Sequence, residues 1–292
     1  MAKIFLSVPI LEKPEFKMIY SVYQAILSCR EHQVRLYINE GDSLVSRIRC
    51  VHMSVFLHEY PDYDYFCSID SDIEIVNCFA TNNILKKLID HNLDFVGGLY
   101  ALKQFNNEPQ CSSIPLDPTI NRSNISFNKG LLEMMWLSSG CWMIKRSVIE
   151  KMVAAYPEKT YVGDDNVAGK TIHGLCLPEV CEIKGSNGEV FKKLLSEDWN
   201  FCQKWRDIGG KIYADTSIVL RHIGKIPYNL WNVEVVTKKK EDVPTAISTN
   251  PTQIIPNKVN IPNSLPNLPP AGFDLENLKT LKSLNLDVQK EK

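Results

Sequence analysis

The chain has 292 residues, 44% apolar and 23% charged, and its 33 Lys+Arg nearly cancel its 34 Asp+Glu to leave a formal net charge of −1. That length supports one large domain or two small ones with an ample core, and the charge balance excludes the basic footprint usual for nucleic-acid binding. No apolar run approaches the ~18–20 residues of a membrane span, and the opening MAKIFLSVPI is too short and turns polar too soon for a signal peptide.

In chain order, KIFLSVPI (3–10) reads as a short apolar strand that Pro9 closes. Residues 14–32 follow as a helix, with Phe16, Ile19, Tyr23 and Ile26 or Leu27 at helical spacing for a packing face. VRLYIN (34–39) is a second strand, and 41–60 a second helix with Leu44, Ile48, Val51 and Val55 inward and Asp42 or Ser43 as N-cap. YDYFCSID (63–70) is a third strand, 80–92 a helix and LDFVGGLYAL (93–102) a fourth strand. Alternating helices and nearly continuous apolar strands predict a largely parallel sheet covered on both faces.

Residues 103–133 are polar and read as a loop excursion, within which the Asn-x-Ser sites at Asn121 and Asn124 are loop residues. A strand running into a helix is expected over 131–157 and a Gly-containing loop insertion over 158–190. Ser196 caps a helix whose inner face is Phe201, Trp205 and Ile208; Gly209 ends it, and extended chain follows to residue 224. Beyond about 237 the character changes: seven prolines fall between 244 and 270, with no aromatic from 238 to 272. The domain reading is 1–232 folded, 233–272 a Pro/Asn-rich extended or disordered linker, and 273–292 a short amphipathic helix carrying Leu275, Leu278, Leu281 and Leu284. Nine scattered cysteines, odd in number and in apolar contexts, read as reduced thiols of a cytoplasmic protein rather than a disulfide framework.

The third strand ends in acids, YFCSIDSDIEIV, although burying an unpaired carboxylate costs several kcal/mol or shifts its pKa. Asp70 and Asp72 at i and i+2 of extended chain would point to one side, at the carboxyl end of a strand, where α/β sheets bind ligands. Two like charges so close suit a hard divalent cation such as Mg²⁺ or Mn²⁺ together with phosphate oxygens. The plainer alternative is that Asp70 caps a turn and Asp72 is solvated. Glu197 and Asp198 open a late helix, where acids also simply meet the helix dipole, and His222 ends the strand that follows. His173, Cys176 and Cys181 read H-x2-C-x4-C, which lacks the fourth ligand of a structural zinc site.

GDSLVSRIR, DYDYFCSIDSDIEI, FVGGLYALK, WLSSGCWMIKRSVIEKM and SEDWNFCQKWRDIGGKIYADTSIVLRHIG, in that order, resemble the GT-A glycosyltransferases. The similarity spans roughly residues 2–230 and is nearest the small single-domain transferases of large viruses, phages and bacteria. One departure is Cys50, where the related pattern usually has Asn. The resemblance implies a Rossmann-like, mixed and mostly parallel sheet flanked by helices, here with a Pro-rich C-terminal tail. It implies a metal-dependent transferase moving a sugar from a nucleotide diphosphate sugar, expected to be UDP-linked, to a glycan or other hydroxyl acceptor. Asp70, Asp72 and His222 would hold the metal, Mn²⁺ in preference to Mg²⁺ because imidazole suits it better. Asp198 would be the base of an inverting reaction, with Glu197 as its alternate. Pro9 and the loop after the first strand, Arg47, Asp70, Ser71, Tyr100, Lys103 and Gly140 would line the donor side. Trp136 or Trp142 would offer an apolar stacking face.

Two other classes stay open at this point: a sugar nucleotidyltransferase, against which stands the lack of glycine in SVPILEKPEFK, and a non-catalytic carbohydrate-binding module. The expected partners are the sugar-nucleotide donor and the glycan acceptor, with no nucleic acid and no membrane span. The Lys-, Asn- and Ile-rich character suits an AT-rich genome such as that of a large virus, which would place the protein in a host cytoplasm.

Overall fold

The computed structural model describes residues 1–231 apart from 12, 40–41, 77–82, 105–107, 165–166 and 185–187. They belong to one unit, Met1–Thr237. The expected linker at 233–272 and helix at 273–292 lie outside the described residues.

Strand β1 (Lys3–Pro9) leads through helix α1 (Phe16–Ser28) to β2 (Gln33–Asn39), and helix α2 (Val45–Glu59) leads on to β3 (Tyr65–Ile69). β4 (Ile73–Ile75), α3 (Ile84–Asp90) and β5 (Phe95–Gly97) follow. Asn83 caps α3, its side chain accepting from the amides of Leu85 and Lys86. The expected excursion at 103–133 is mostly irregular but contributes β6 (Ile114–Pro115) and the start of β7 (Leu131–Trp136). β8 (Cys141–Lys145) runs into α4 (Arg146–Ala155), so the expected single strand before this helix is two strands separated at Leu137–Gly140. The insertion expected to be loop is largely two hairpins, β9 (Thr160–Val162) with β10 (Thr171–His173) and β11 (Glu179–Lys184) with β12 (Val190–Leu195). Helix α5 (Glu197–Asp207), β13 (Tyr213–Asp215), β14 (Leu220–Ile223) and β15 (Pro227–Asn229) complete the described chain.

The main sheet has the order β2-β1-β3-β8-β5-β13-β7-β6. β1 pairs in parallel with β2 and β3, and β5 with β13; β8 and β7 run against their neighbours. The result is a Rossmann-like α/β fold with a mixed, mostly parallel sheet flanked by helices, the class the sequence led us to expect. A smaller sheet, β15-β14-β4, carries the segment just past β3. Alternation along β1 sends Ile4, Leu6 and Val8 to one core, with Met18, Val22 and Leu85, and Phe5 to another, with Phe56, Phe66, Phe95, Trp142 and Phe201. Each such side chain contributes roughly 1.5–3 kcal/mol on burial.

Three helix faces differ from expectation, α2 in that Leu44, expected inward, lies at its cap position and is exposed. In α1 the residues expected inside are out, Phe16 at 77% and Tyr23 at 54% exposure, while Met18, Val22 and Ala25 are buried. The sheet here offers closely spaced aliphatic side chains, against which the slimmer stripe packs. In α5 Phe201 and Trp205 are buried but Ile208, at the C-cap, is 39% exposed. Gly209 has φ +87°, a left-handed conformation that favours glycine at a helix end.

Candidate active site

The carboxyl ends of β1 and β3 and the start of α2 enclose an open cleft. It is lined by Pro9, Ile10 and Leu11, by Asp42, Ser43, Val45, Ile48 and Arg49, and by Asp70, Ser71 and Asp72. The Asp-Ser-Asp stretch is not the extended chain expected. Ile73 N donates to Asp70 O at 3.0 Å, closing a tight turn, and the Ser71 carbonyl accepts from Glu15 N at 2.9 Å. Turn geometry, rather than strand alternation, therefore presents the two carboxylates.

The group that organises the site is Arg49, 4% exposed. Its Nη2 lies 2.8 Å from Asp70 Oδ1 and its Nε 3.7 Å from Glu197 Oε1, while Nη1 donates to Ser68 Oγ at 3.4 Å. One buried cation thus joins the end of β3 to the first turn of α5. The contact with Asp70 is between charges rather than an aligned hydrogen bond: Asp70 Oδ1 and Arg49 Nε are both buried without a hydrogen-bond partner. Burial, reinforced by the Asp72 charge, raises the Asp70 pKa despite Arg49. Burial and the adjacent Asp198 likewise raise Glu197.

Arg47 takes a different place from the one expected. It turns back on Asp42, with Nε at 2.8 Å from Oδ2 and Nη2 at 3.1 Å from Oδ1. Asp42 also accepts from Leu44 N at 2.8 Å, so it braces the entry to α2, which starts at Val45 with Leu44 at the cap position. A helical step of about 200° between residues 47 and 49 sends only the second inward. The signal available in the sequence was a charge embedded in a helix whose residues from Ile48 to Phe56 are all buried.

Asp72 meets two nitrogen partners, Lys103 Nζ at 2.5 Å and His222 Nε2 at 3.3 Å from the same oxygen, Oδ2. Burial pushes its carboxyl up, but hydrogen bonds from His222 and Lys103 outweigh this and hold the pKa at about 2. His222 Nδ1 lies 2.9 Å from the Ala101 carbonyl, which can only accept, so Nδ1 donates there and fixes the ring with its Nε2 turned toward Asp72. A carbonyl on the far nitrogen is the arrangement that orients metal-ligating histidines.

These donors fit a divalent cation: Asp70 has an orphaned buried oxygen, Asp72 stands two residues on, and His222 offers an oriented Nε2. They are not gathered as expected, because among the described residues no three His, Cys, Asp or Glu side chains form a metal-holding group. Arg49 and Lys103 neutralise the two aspartates separately, which holds the carboxylates apart from a shared centre. His173, Cys176 and Cys181 also disperse, toward His58, Met53 and Asn200 respectively.

On the far side, Tyr100 Oη accepts from Gly140 N at 3.0 Å, and the Gly140 carbonyl accepts from Asp70 N at 3.3 Å. A Cβ at Gly140 would stand 2.7 Å from the Tyr100 ring, so this glycine makes room for a tyrosine rather than for a sugar. Gly97 and Gly98 similarly admit the Cys141 carbonyl and the Leu220 side chain. Tyr100 is itself buried, its hydroxyl raised well above the usual range by burial and by Asp70 and Asp198.

At the start of α5, Asp198 Oδ1 accepts from Ser196 Oγ at 2.5 Å and from Trp199 N at 2.8 Å. Ser196 therefore sits at the cap position but bonds the carboxylate instead of the helix amides. Trp142 is fully buried between Phe95 and Phe201 and offers no face. Trp136 stacks on half-buried Trp199, centroids 4.9 Å apart and planes 20° apart, a residue the sequence reading did not single out. An aromatic directly after the Glu-Asp pair was its visible sign.

No protein-family model matches the chain, and no curated protein matches it. Among solved structures it is similar to the crystal structure of A197 from STIV, at 19% identity and TM-score 0.45 over 77% of this chain and 86% of that one. It is also similar to a glycosyltransferase involved in the glycosylation of the major capsid of PBCV-1, at 11% identity and TM-score 0.29 over 53% of this chain and 67% of that one.

Proposed function

We propose that this protein is a metal-dependent glycosyltransferase that moves a sugar from a nucleotide diphosphate sugar, UDP-linked, to a hydroxyl of a glycan or other acceptor. The observation that carries the reading is the convergence of Asp70 and Asp72 at the end of β3 with Glu197 and Asp198 at the start of α5, across one buried arginine. A fold with no ligand to bind has little reason to concentrate four carboxylates there, since each raises the cost of ionising the others.

In this reading Pro9, Leu11 and the Asp42–Val45 turn flank the nucleoside, and Lys103 and Arg49 face the diphosphate. Asp70, Asp72 and His222 would hold Mn²⁺ or Mg²⁺, which when bound supplies Lewis-acid stabilisation of the charge on the departing nucleoside diphosphate. Asp198 takes the acceptor proton as bond formation advances, giving inversion. Its Oδ1 is fixed by Ser196 and Trp199, so Oδ2 is the oxygen that receives it. Glu197, held toward Arg49, orients that arginine.

Calorimetric titration of UDP, GDP and dTDP, with Mn²⁺ and with EDTA, tests the donor site. Manganese-dependent binding of UDP that disappears in Asp72→Asn is the expected result. Absence of binding by all three nucleotides, at concentrations that detect ~100 μM affinity (about −5.5 kcal/mol), overturns it.

A further inference from the structure

We infer that Trp199, stacked on Trp136 with Lys193 at its edge, is an acceptor subsite that binds a pyranose ring bearing an anionic substituent. The inference rests on the glycosyltransferase reading for the word acceptor, and on geometry for the site. Three distances define it: the indole centroids are 4.9 Å apart, and Lys193 Nζ lies 4.7 Å from the Trp136 ring and 5.0 Å from the Trp199 ring. The triangle is nearly equilateral. A cation on the outer face of Trp199 would be roughly twice as far from Trp136, so Lys193 borders the pair and leaves that outer face uncovered by its own ammonium.

The pair is built rather than incidental. Trp136 is 6% exposed and its Nε1 donates to Gln203 Oε1 at 3.0 Å, which fixes it as the floor. Trp199 lies over it, half-buried, and a stacked indole presents a rigid apolar plane of the kind that meets the C–H face of a sugar. The plane adjoins the proposed chemistry. Trp199 is the next residue after Asp198 and its amide binds the Asp198 carboxylate, so their Cα atoms are about 3.8 Å apart. Trp136 is four residues from Gly140, whose carbonyl holds the Asp70 amide, so chain connectivity keeps it within about 14 Å of Gly140. A ring on Trp199 therefore stands on the residue next to the proposed base.

Charge sets the ligand class. Lys193 makes cation–π contact with both rings, yet among the described residues no carboxylate lies within 4.0 Å of its ammonium. Nearly every other site-facing cation is paired, Arg49 with Asp70 and Lys103 with Asp72. An ammonium desolvated on one side by indoles and lacking an anion favours a carboxylate, phosphate or sulfate on the ligand.

The test is saturation-transfer difference NMR with methyl β-D-glucuronide and methyl β-D-glucoside as probes, on the full chain without nucleotide. The glucuronide should give transfer that weakens about tenfold in Trp199→Ala, is retained in Trp199→Phe, and weakens several-fold in Lys193→Ala. Should Trp199→Ala lose its fold by circular dichroism, Lys193→Ala, which removes only a half-exposed side chain, carries the test. No transfer from the wild type to either probe, or transfer indifferent to both substitutions, overturns the subsite, and equal binding of the two probes overturns the anionic class. Asp72→Asn and UDP titration on the same samples separate the two ideas. Sugar binding that survives while UDP fails to bind removes the donor reading and leaves the platform; UDP binding without sugar binding does the reverse.

Discussion

Replacing Arg49 by Met removes the positive charge between Asp70 and Glu197 while keeping an unbranched side chain of similar reach. At an effective dielectric of 20, opposite unit charges about 4 Å apart attract by about 4 kcal/mol, and Arg49 approaches Asp70 at 2.8 Å and Glu197 at 3.7 Å. Part of that attraction offsets the cost of burying the guanidinium, but the variant forfeits all of it and leaves two buried carboxylates facing each other. Breaking a buried pair by removing one partner costs roughly 3–5 kcal/mol. The carboxyls can escape by binding protons, and this sets a pH signature. Burial already raises Asp70 and Glu197 with Arg49 present, and both rise further without it. A carboxyl with a raised folded pKa binds more protons folded than unfolded between its two pKa values, so stability falls as pH climbs through that window. Urea unfolding in EDTA should therefore show Arg49→Met losing about 3–5 kcal/mol at pH 8 and markedly less at pH 5, with Arg49→Lys in between. A loss under 1 kcal/mol at pH 8, or an equal loss at both pH values, would refute the account of Arg49 as the charge that makes this cluster tolerable.

Other perturbations follow from neighbouring geometry. His52 is fully buried, its Nδ1 2.7 Å from Ser7 Oγ, and burial with the Arg49 charge lowers its pKa to about 3. A histidine lowered on folding costs stability as pH falls from about 6.5 toward 3, by up to ~1.4 kcal/mol per pH unit. His52→Leu should flatten that acid limb in pH-dependent unfolding, at a cost of about 1–3 kcal/mol at neutral pH for leaving Ser7 unpaired. Trp142→Ala, emptying a fully buried site between Phe95 and Phe201, should cost about 3–5 kcal/mol by the same assay. Gly140→Ala places a methyl 2.7 Å from the Tyr100 ring, which His222 confines edge-on at 5.1 Å; a stability loss of about 1–3 kcal/mol with weaker UDP binding is expected, and an unchanged melting curve counts against the packing described.

Much of the site was visible as local pattern. Asp70 and Asp72 stood out because ionised side chains interrupt a strand, Glu197 and Asp198 because they open a helix, and His222 because it ends a strand. Arg49 was passed over for Arg47 because α2 is buried around most of its circumference, so its periodicity marks no single inward face, and which arginine enters depends on the start at Val45. The expected stripe of α1 misled for the converse reason: Phe16, Ile19 and Tyr23 have helical spacing, yet the small residues Ser21 and Ala25 fit beneath the sheet.

The sequence by itself determined the alternation of strands and helices, the fold class and the order of the acidic motifs, because periodicity, caps and strand ends are properties of neighbours in the chain. Only the tertiary structure decided that Arg49 bridges two of those motifs, that Lys103 and His222 share Asp72, that Gly140 yields to Tyr100, and that Trp199 rather than Trp142 offers a surface. Those facts arise between residues up to 150 positions apart. Their geometry follows from the sheet order and from which side chains fill the space between its layers, quantities that no local window of sequence contains.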